Sequence, residues 1–192
     1  MDLSLEGLVP SRRTLLKSAA LSLFAFQVAG CREMLTPGEA QRRGAALQVL
    51  TSEEASSLEA FGEVLVPGAR EAGVAHYVDA NLSRSIGDSL LTVRYLDVLP
   101  PHDVFYKDGL RALDAAASEL AGRPFAALTA AEARPLVAAL LPAKVAGWTG
   151  PPSPLFYLAV RSDAADLVYG TRAAFERMNI PYMAHIEPPT DW

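Results

Sequence analysis

The chain of 192 residues has one cysteine and three histidines. A lone cysteine cannot close an internal disulfide. No CxxCH is present for covalent haem, no GxGxxG follows a strand, and GxxxxGK[ST] and GxSxG are both missing. Metal binding needs clustered ligands, and His76, His102 and His185 lie far apart in sequence. A basic excess is missing too: 17 lysines and arginines face 22 acidic residues, for a net charge of −5. That balance argues against nucleic acid, which calls for a basic patch. No stretch shows convincing strand alternation, and the alanine and leucine content favours helix.

What is present begins with "SRRTLLKSAALSLFAFQVAGC" at residues 11–31. Arg12 and Arg13, followed by two leucines and Lys17, have the spacing of a twin-arginine export address. Ser18 to Gly30 is an apolar run of thirteen residues. A bilayer core of about 30 Å needs roughly 20 residues, so this run does not span one. It has the length of a signal-peptide apolar region. Residues 1–30 are therefore expected to be an export signal directing the chain to the periplasm. Small residues precede Cys31, which makes Cys31 a lipidation candidate that would tether the remainder to a membrane. The alternative is an ordinary signal peptide in which the cysteine is incidental. Removing the signal takes away three basic and two acidic groups and leaves the remainder slightly more acidic.

Residues 31–49, with mixed charge, Pro37 and Gly38, are expected to form a tether. A helical domain is expected over 50–192. Thr51 and Glu54 form a capping box, after which Leu58, Phe61 and Leu65 recur at helical spacing until Pro67-Gly68. Val74, Val78 and Leu82 mark a second helix. Pro100-Pro101 breaks the chain before a third, whose apolar face is Phe105, Leu110, Leu113, Ala117 and Leu120, with Gly122 as its stop. Thr129 and Glu132 form another capping box, and Pro135 should kink that helix or delay its start. The last helix carries Phe156, Ala159, Leu167 and Val168. The expectation is an all-α, compact single domain of about five helices with an extended C-terminal tail.

Few residues suggest chemistry. His76 and Asp79, three apart on one helix, can share a proton or a metal, or Asp79 can simply hold a half-buried histidine. His102 reads most simply as a loop or cap residue. Glu53-Glu54 lies in a helix first turn, where negative charge suits the dipole, so capping explains the pair better than acid–base catalysis. Trp148 and Trp192 sit in segments rich in proline and glycine. They can anchor a partner or fold back on their own domain. No catalytic, cofactor-binding or metal-binding residue is assigned; Trp148, Tyr157, Tyr182 and Trp192 are the candidates for a partner interface.

Three stretches resemble the gluconate 2-dehydrogenase subunit 3 family: "LTSEEASSLEAFGEVLVPGAREAGVAHYVD", "YKDGLRALDAAASELAGRPFAALTAAEARPLVAAL" and "LFYLAVRSDAADLVYG". The resemblance covers most of residues 50–170. It implies a helical, periplasmic accessory subunit that holds no cofactor itself. Its implied partner is a large FAD-dependent sugar or alcohol dehydrogenase, with a haem c subunit taking the electrons onward. It also offers a reason for the twin arginines: a flavoprotein that folds around FAD in the cytoplasm can be escorted out by a small subunit bearing the signal. The ending "TRAAFERMNIPYMAHIEPPTDW" departs from the glycine-rich, tryptophan-containing ending of that family. The competing expectation is a lipid-anchored periplasmic scaffold or binding protein with no redox partner.

Overall fold

The computed structural model describes residues 23–180. The signal arginines Arg12 and Arg13, His185, and the tail with Tyr182 and Trp192 lie outside the described residues. Among the described residues the protein is mostly helical, as expected, with eight α-helices and one two-stranded sheet. None of these helices is long and apolar enough to cross a membrane.

The expected helices are the five long ones. Ser52–Leu65, here α2, starts at the Thr51–Glu54 box. Val74–Leu82 is α4 and His102–Ala121 is α5. Ala130–Leu140 is α6, opened by the Thr129–Glu132 box, and Ser153–Tyr169 is α7. Gly122 stops α5 in the left-handed conformation at φ +68°. Pro135 does not delay α6, which begins directly after its cap. Its position is exposed, where water can reach the carbonyl that a proline nitrogen cannot bond. Three short helices complete the set: α1 (Pro37–Arg42), α3 (Ala69–Ala72) and α8 (Arg172–Arg177).

One core joins these elements. Phe61 on α2 stacks on Phe156 of α7 at 5.4 Å between ring centroids, and Phe125 meets Phe61 edge-on at 5.9 Å. Phe105, Leu110, Leu113 and Ala117 of α5 are buried as their spacing predicts, whereas Leu120 is 61% exposed in the last turn of that helix.

The N-terminal segment differs from expectation. Phe24–Val28 (β1) and Cys31–Leu35 (β2) form an antiparallel hairpin, with Phe24 opposite Leu35 and Val28 opposite Cys31. Phe24, Phe26 and Val28 are buried, a period-2 pattern hidden within an apolar run that reads as a signal. Residues 31–49 are likewise folded onto the domain rather than strung out as a tether. Thr36 and Glu39 make a third capping box at the head of α1, and Ala40, Ala45 and Leu50 are buried. Two glycines allow this close fit. Gly38 of α1 lies where a β-carbon would meet the Glu71 carbonyl oxygen at 2.7 Å. Gly73, at φ +84°, faces the Pro37 carbonyl carbon at 2.4 Å from the same hypothetical atom.

Candidate partner interface

The side chains that suggested chemistry serve the fold. Asp79 does not hold His76. Its carboxylate accepts backbone N–H bonds from Gln48 (2.8 Å), Val49 (2.8 Å) and Leu50 (2.9 Å), fixing the approach to α2. His76 donates from Nε2 to the Ala45 carbonyl at 3.1 Å. Glu54 accepts from the Thr51 backbone N–H at 2.9 Å, so it is Glu54 of the Glu53-Glu54 pair that supplies the cap. His102 opens α5, and its Nε2 donates to the Val98 carbonyl at 3.2 Å. No group of three His, Cys, Asp or Glu side chains able to hold a metal exists among the described residues.

A second buried carboxylate matters more for the surface. Asp163 on α7 is fully buried. It accepts from the Thr92 backbone N–H at 2.7 Å and from the Tyr106 hydroxyl of α5. Burial pushes its pKa up to about 6, against the pull of those two donors. Desolvation and the neighbouring Asp163 also raise the Tyr106 phenol. With both groups shut away from solvent, this pair binds backbone and cannot reach a substrate.

What Asp163 holds is the segment between α4 and α5. Asn81 adds a second tie, its side-chain carbonyl accepting from the Leu90 N–H at 2.9 Å. Leu91 and Val93 are fully buried beneath the segment. Pinned in this way, it turns large apolar side chains outward: Ile86 is 49% exposed, Leu90 51%, Tyr95 70% and Leu99 85%, and Val104, at the start of α5, is 48% exposed. The Arg94 guanidinium lies 5.3 Å from the Tyr95 ring centroid and also donates to the Ser89 carbonyl at 3.0 Å. The two ends of the segment approach each other around a cleft of about 180 Å³ bordered by Arg84, Ile86, Pro101 and Asp103. Single exposed leucines are ordinary on a protein surface. Four such residues on one backbone-anchored segment, with Val104 just beyond it in the first turn of α5, offer apolar side chains of the kind a protein partner can cover.

Sequence reasoning missed this segment, although "LLTVRYLDVLP" is an apolar run without helical period. Of the aromatics it singled out, Trp148 folds back: its indole N–H donates to the Pro151 carbonyl at 2.6 Å and its ring lies 6.0 Å from Phe156. Tyr157 is half-buried against the core. The structure does not bring these two together with the 86–104 segment through any hydrogen bond or ring contact described. Cys31 is exposed at the hairpin turn. A second, larger concavity of about 670 Å³ lies where α1 meets the end of α7, lined by Thr36, Arg42, Glu71, Tyr169 and Arg177 among others. It is open and of mixed polarity, and holds no cluster of catalytic groups.

A model of the family described as gluconate 2-dehydrogenase subunit 3 matches residues 52–184. The match begins at the first residue of α2 and so leaves out the hairpin and α1. No curated protein and no solved structure matches the chain.

Proposed function

We propose a role that proceeds from kinship: the chain belongs to the gluconate 2-dehydrogenase subunit 3 family, and it acts as the non-catalytic small subunit that accompanies a large FAD-dependent sugar or alcohol dehydrogenase into the periplasm. Membership implies a subunit of a multi-subunit dehydrogenase complex. The family match is the observation that carries the reading. Support comes from the commitment of Asp79 and Asp163 to backbone donors, and from the apolar side chains displayed by residues 86–104.

The division of labour follows from where the chemistry can reside. FAD and the substrate belong to the large subunit, and a haem c subunit receives the electrons. The small subunit contributes the twin arginines, Arg12 and Arg13, and a surface that docks the folded flavoprotein before export. Docking also stabilises the partner by mass action, because it favours the folded form that offers the matching surface. Acylation of Cys31, which is exposed, is the alternative fate of the N-terminal segment; it requires cleavage of the Gly30–Cys31 bond and would tether the complex to a membrane.

The test is affinity purification of the tagged chain from the producing organism's periplasm and membranes, with an absorbance spectrum of the eluate. A large subunit with a flavin spectrum is expected. Changing Arg12 and Arg13 together to lysine should then leave both proteins in the cytoplasm. A colourless eluate containing this chain alone would overturn the reading.

A further inference from the structure

The hairpin raises a question that export alone does not answer. If residues 1–30 were removed, β1 would go with them, and β1 is built into the domain. Phe24 and Phe26 are each 1% exposed. The Phe24 ring meets Tyr77 of α4 edge-on at 5.6 Å and is covered on another side by the Arg84 guanidinium, 4.3 Å from its centroid. Phe26 lies against the His76 ring at 6.0 Å. Backbone joins in as well: the Ala46 N–H donates to the Gln27 carbonyl at 3.1 Å. Midway along β2, Glu33 is gripped at both oxygens by Arg43, at 2.6 and 2.7 Å.

The bond that signal removal would cut, Gly30–Cys31, lies in the tightest part of this structure. Val28 pairs with Cys31 across a two-residue turn whose central residues, Ala29 and Gly30, have φ of +50° and +84°. That is the backbone of a tight hairpin turn matched to the twist of its strands. A protease draws its substrate into an extended form, pairing with it as an added strand. Both strands here are already paired to each other, and the turn is bent the opposite way.

We propose that residues 24–35 are a permanent part of the folded protein, so that the distal half of the signal is retained as a structural strand and the chain is not cut before Cys31. Retention and export are compatible: the twin-arginine route handles folded cargo, and the paired arginines lie upstream of Phe24 in sequence. Folding also becomes coupled to the signal, since β1 can dock only on a domain whose α4 and α1 are in place. The inference does not depend on the escort reading, because it concerns only this chain's own N-terminus.

The intact mass and N-terminal sequence of the protein recovered from the producing organism test it directly. The expected N-terminus lies ahead of Phe24, with a free Cys31 thiol that reacts with iodoacetamide without denaturation. A chain beginning at Cys31, with or without acyl mass, or anywhere else beyond Phe24, overturns the proposal. A second measurement uses the full-length chain. Phe24→Ser with Phe26→Ser should lower the thermal midpoint by at least about 10 °C, while Met34→Ser, at a position 56% exposed on the partner strand, should leave it unchanged. Equal midpoints for the two variants would overturn the proposal.

Discussion

Gly109 on α5 faces the ring of Phe156 on α7 so closely that a β-carbon at Gly109 would lie 2.4 Å from two ring carbons. The ring cannot swing away. Phe61 stacks on it at 5.4 Å, and Phe105 and Trp148 border it at 6.1 and 6.0 Å. The two helices therefore cross at the one residue type that has no side chain. In an ordinary helix, Gly→Ala gains about 1 kcal/mol from propensity. Here Gly109→Ala should instead destabilise by about 1–3 kcal/mol through overpacking. A shift of the denaturant midpoint to lower concentration checks it, and a stabilised variant would refute the packing account.

The Gly73–Pro37 approach joins the N-terminal segment to the helical body in the same way. Gly73→Ala meets two penalties: a left-handed backbone, costing about 1 kcal/mol, and a collision with the Pro37 backbone at 2.4 Å. Neither side can yield, since the Cβ is held rigidly by its own backbone and the atoms it meets on Pro37 and Gly38 are main chain. The expected result is loss of α1 and the hairpin from the domain ahead of global unfolding. Hydrogen exchange should show residues 24–46 opening in the variant while the buried amides of α5 and α7 stay protected.

Asp163 makes stability depend on pH in an unusual direction. Its folded pKa, raised to about 6 from the ordinary 3.8, means that the folded protein holds this proton more tightly than the unfolded chain does. The resulting stability is fully present below about pH 4 and is lost as pH rises through about 6. Asp163→Asn removes the titration while keeping an acceptor for the Thr92 N–H. Between pH 4 and 7 the wild type should lose stability relative to that variant, as read by urea midpoints across the range. A constant difference between the two would show that Asp163 titrates alike in both states.

These effects show which parts of the structure a sequence can disclose. Thr51, Thr129 and Gly122 act through local rules, in which a hydroxyl, a carboxylate three residues on, or a missing side chain settles a helix end. They were readable for that reason. Thr36 with Glu39 obeys the same rule and was equally readable, but the charge, Pro37 and Gly38 around it suggested a tether. The β1 strand was hidden because an apolar signal and a buried strand draw on the same residues. Phe24 and Phe26 are recognisable as core only once Tyr77, His76 and Arg84 are seen around them. Asp79 and Asp163 seek partners about 30 and 71 residues away, a pairing that no local spacing encodes. Without Asp163 in place on Thr92, nothing in "LLTVRYLDVLP" says which side chains face outward.

Asp79 offers a test of that long-range role. Its carboxylate is the acceptor for three consecutive N–H groups, of which Leu50's is buried. Hydrogen bonds to a charged acceptor contribute about 1.5–3 kcal/mol, and a buried donor left unpaired costs about 1–3 kcal/mol. Asp79→Ala should therefore destabilise by at least about 3 kcal/mol. If the chain accompanies a flavoprotein, the variant should leave turnover per folded complex unchanged, because the Asp79 carboxylate is occupied by backbone donors. Loss of turnover in a variant that remains folded would reinstate the His76–Asp79 pair as a reactive site.

The 86–104 segment separates docking from folding. Tyr95 and Leu99 are 70% and 85% exposed, so truncating them removes little buried area, and changes at such positions usually stay within about 0.5 kcal/mol of stability. Trp148 is the contrast, since its ring packs on Phe156 and its N–H is bonded to Pro151. If residues 86–104 dock the large subunit, Tyr95→Ala with Leu99→Ser should leave the thermal midpoint of the isolated chain in place. The same variant should weaken its capture of the flavoprotein by about 30-fold or more, the scale of an interface hot spot. Trp148→Ala should do the reverse, lowering the midpoint and leaving capture by the remaining folded chain near wild type. Titration of immobilised small subunit with the purified large subunit reads both effects. Should Trp148→Ala abolish capture at full stability while the Tyr95–Leu99 variant binds normally, the docking surface would lie on the α6–α7 loop instead.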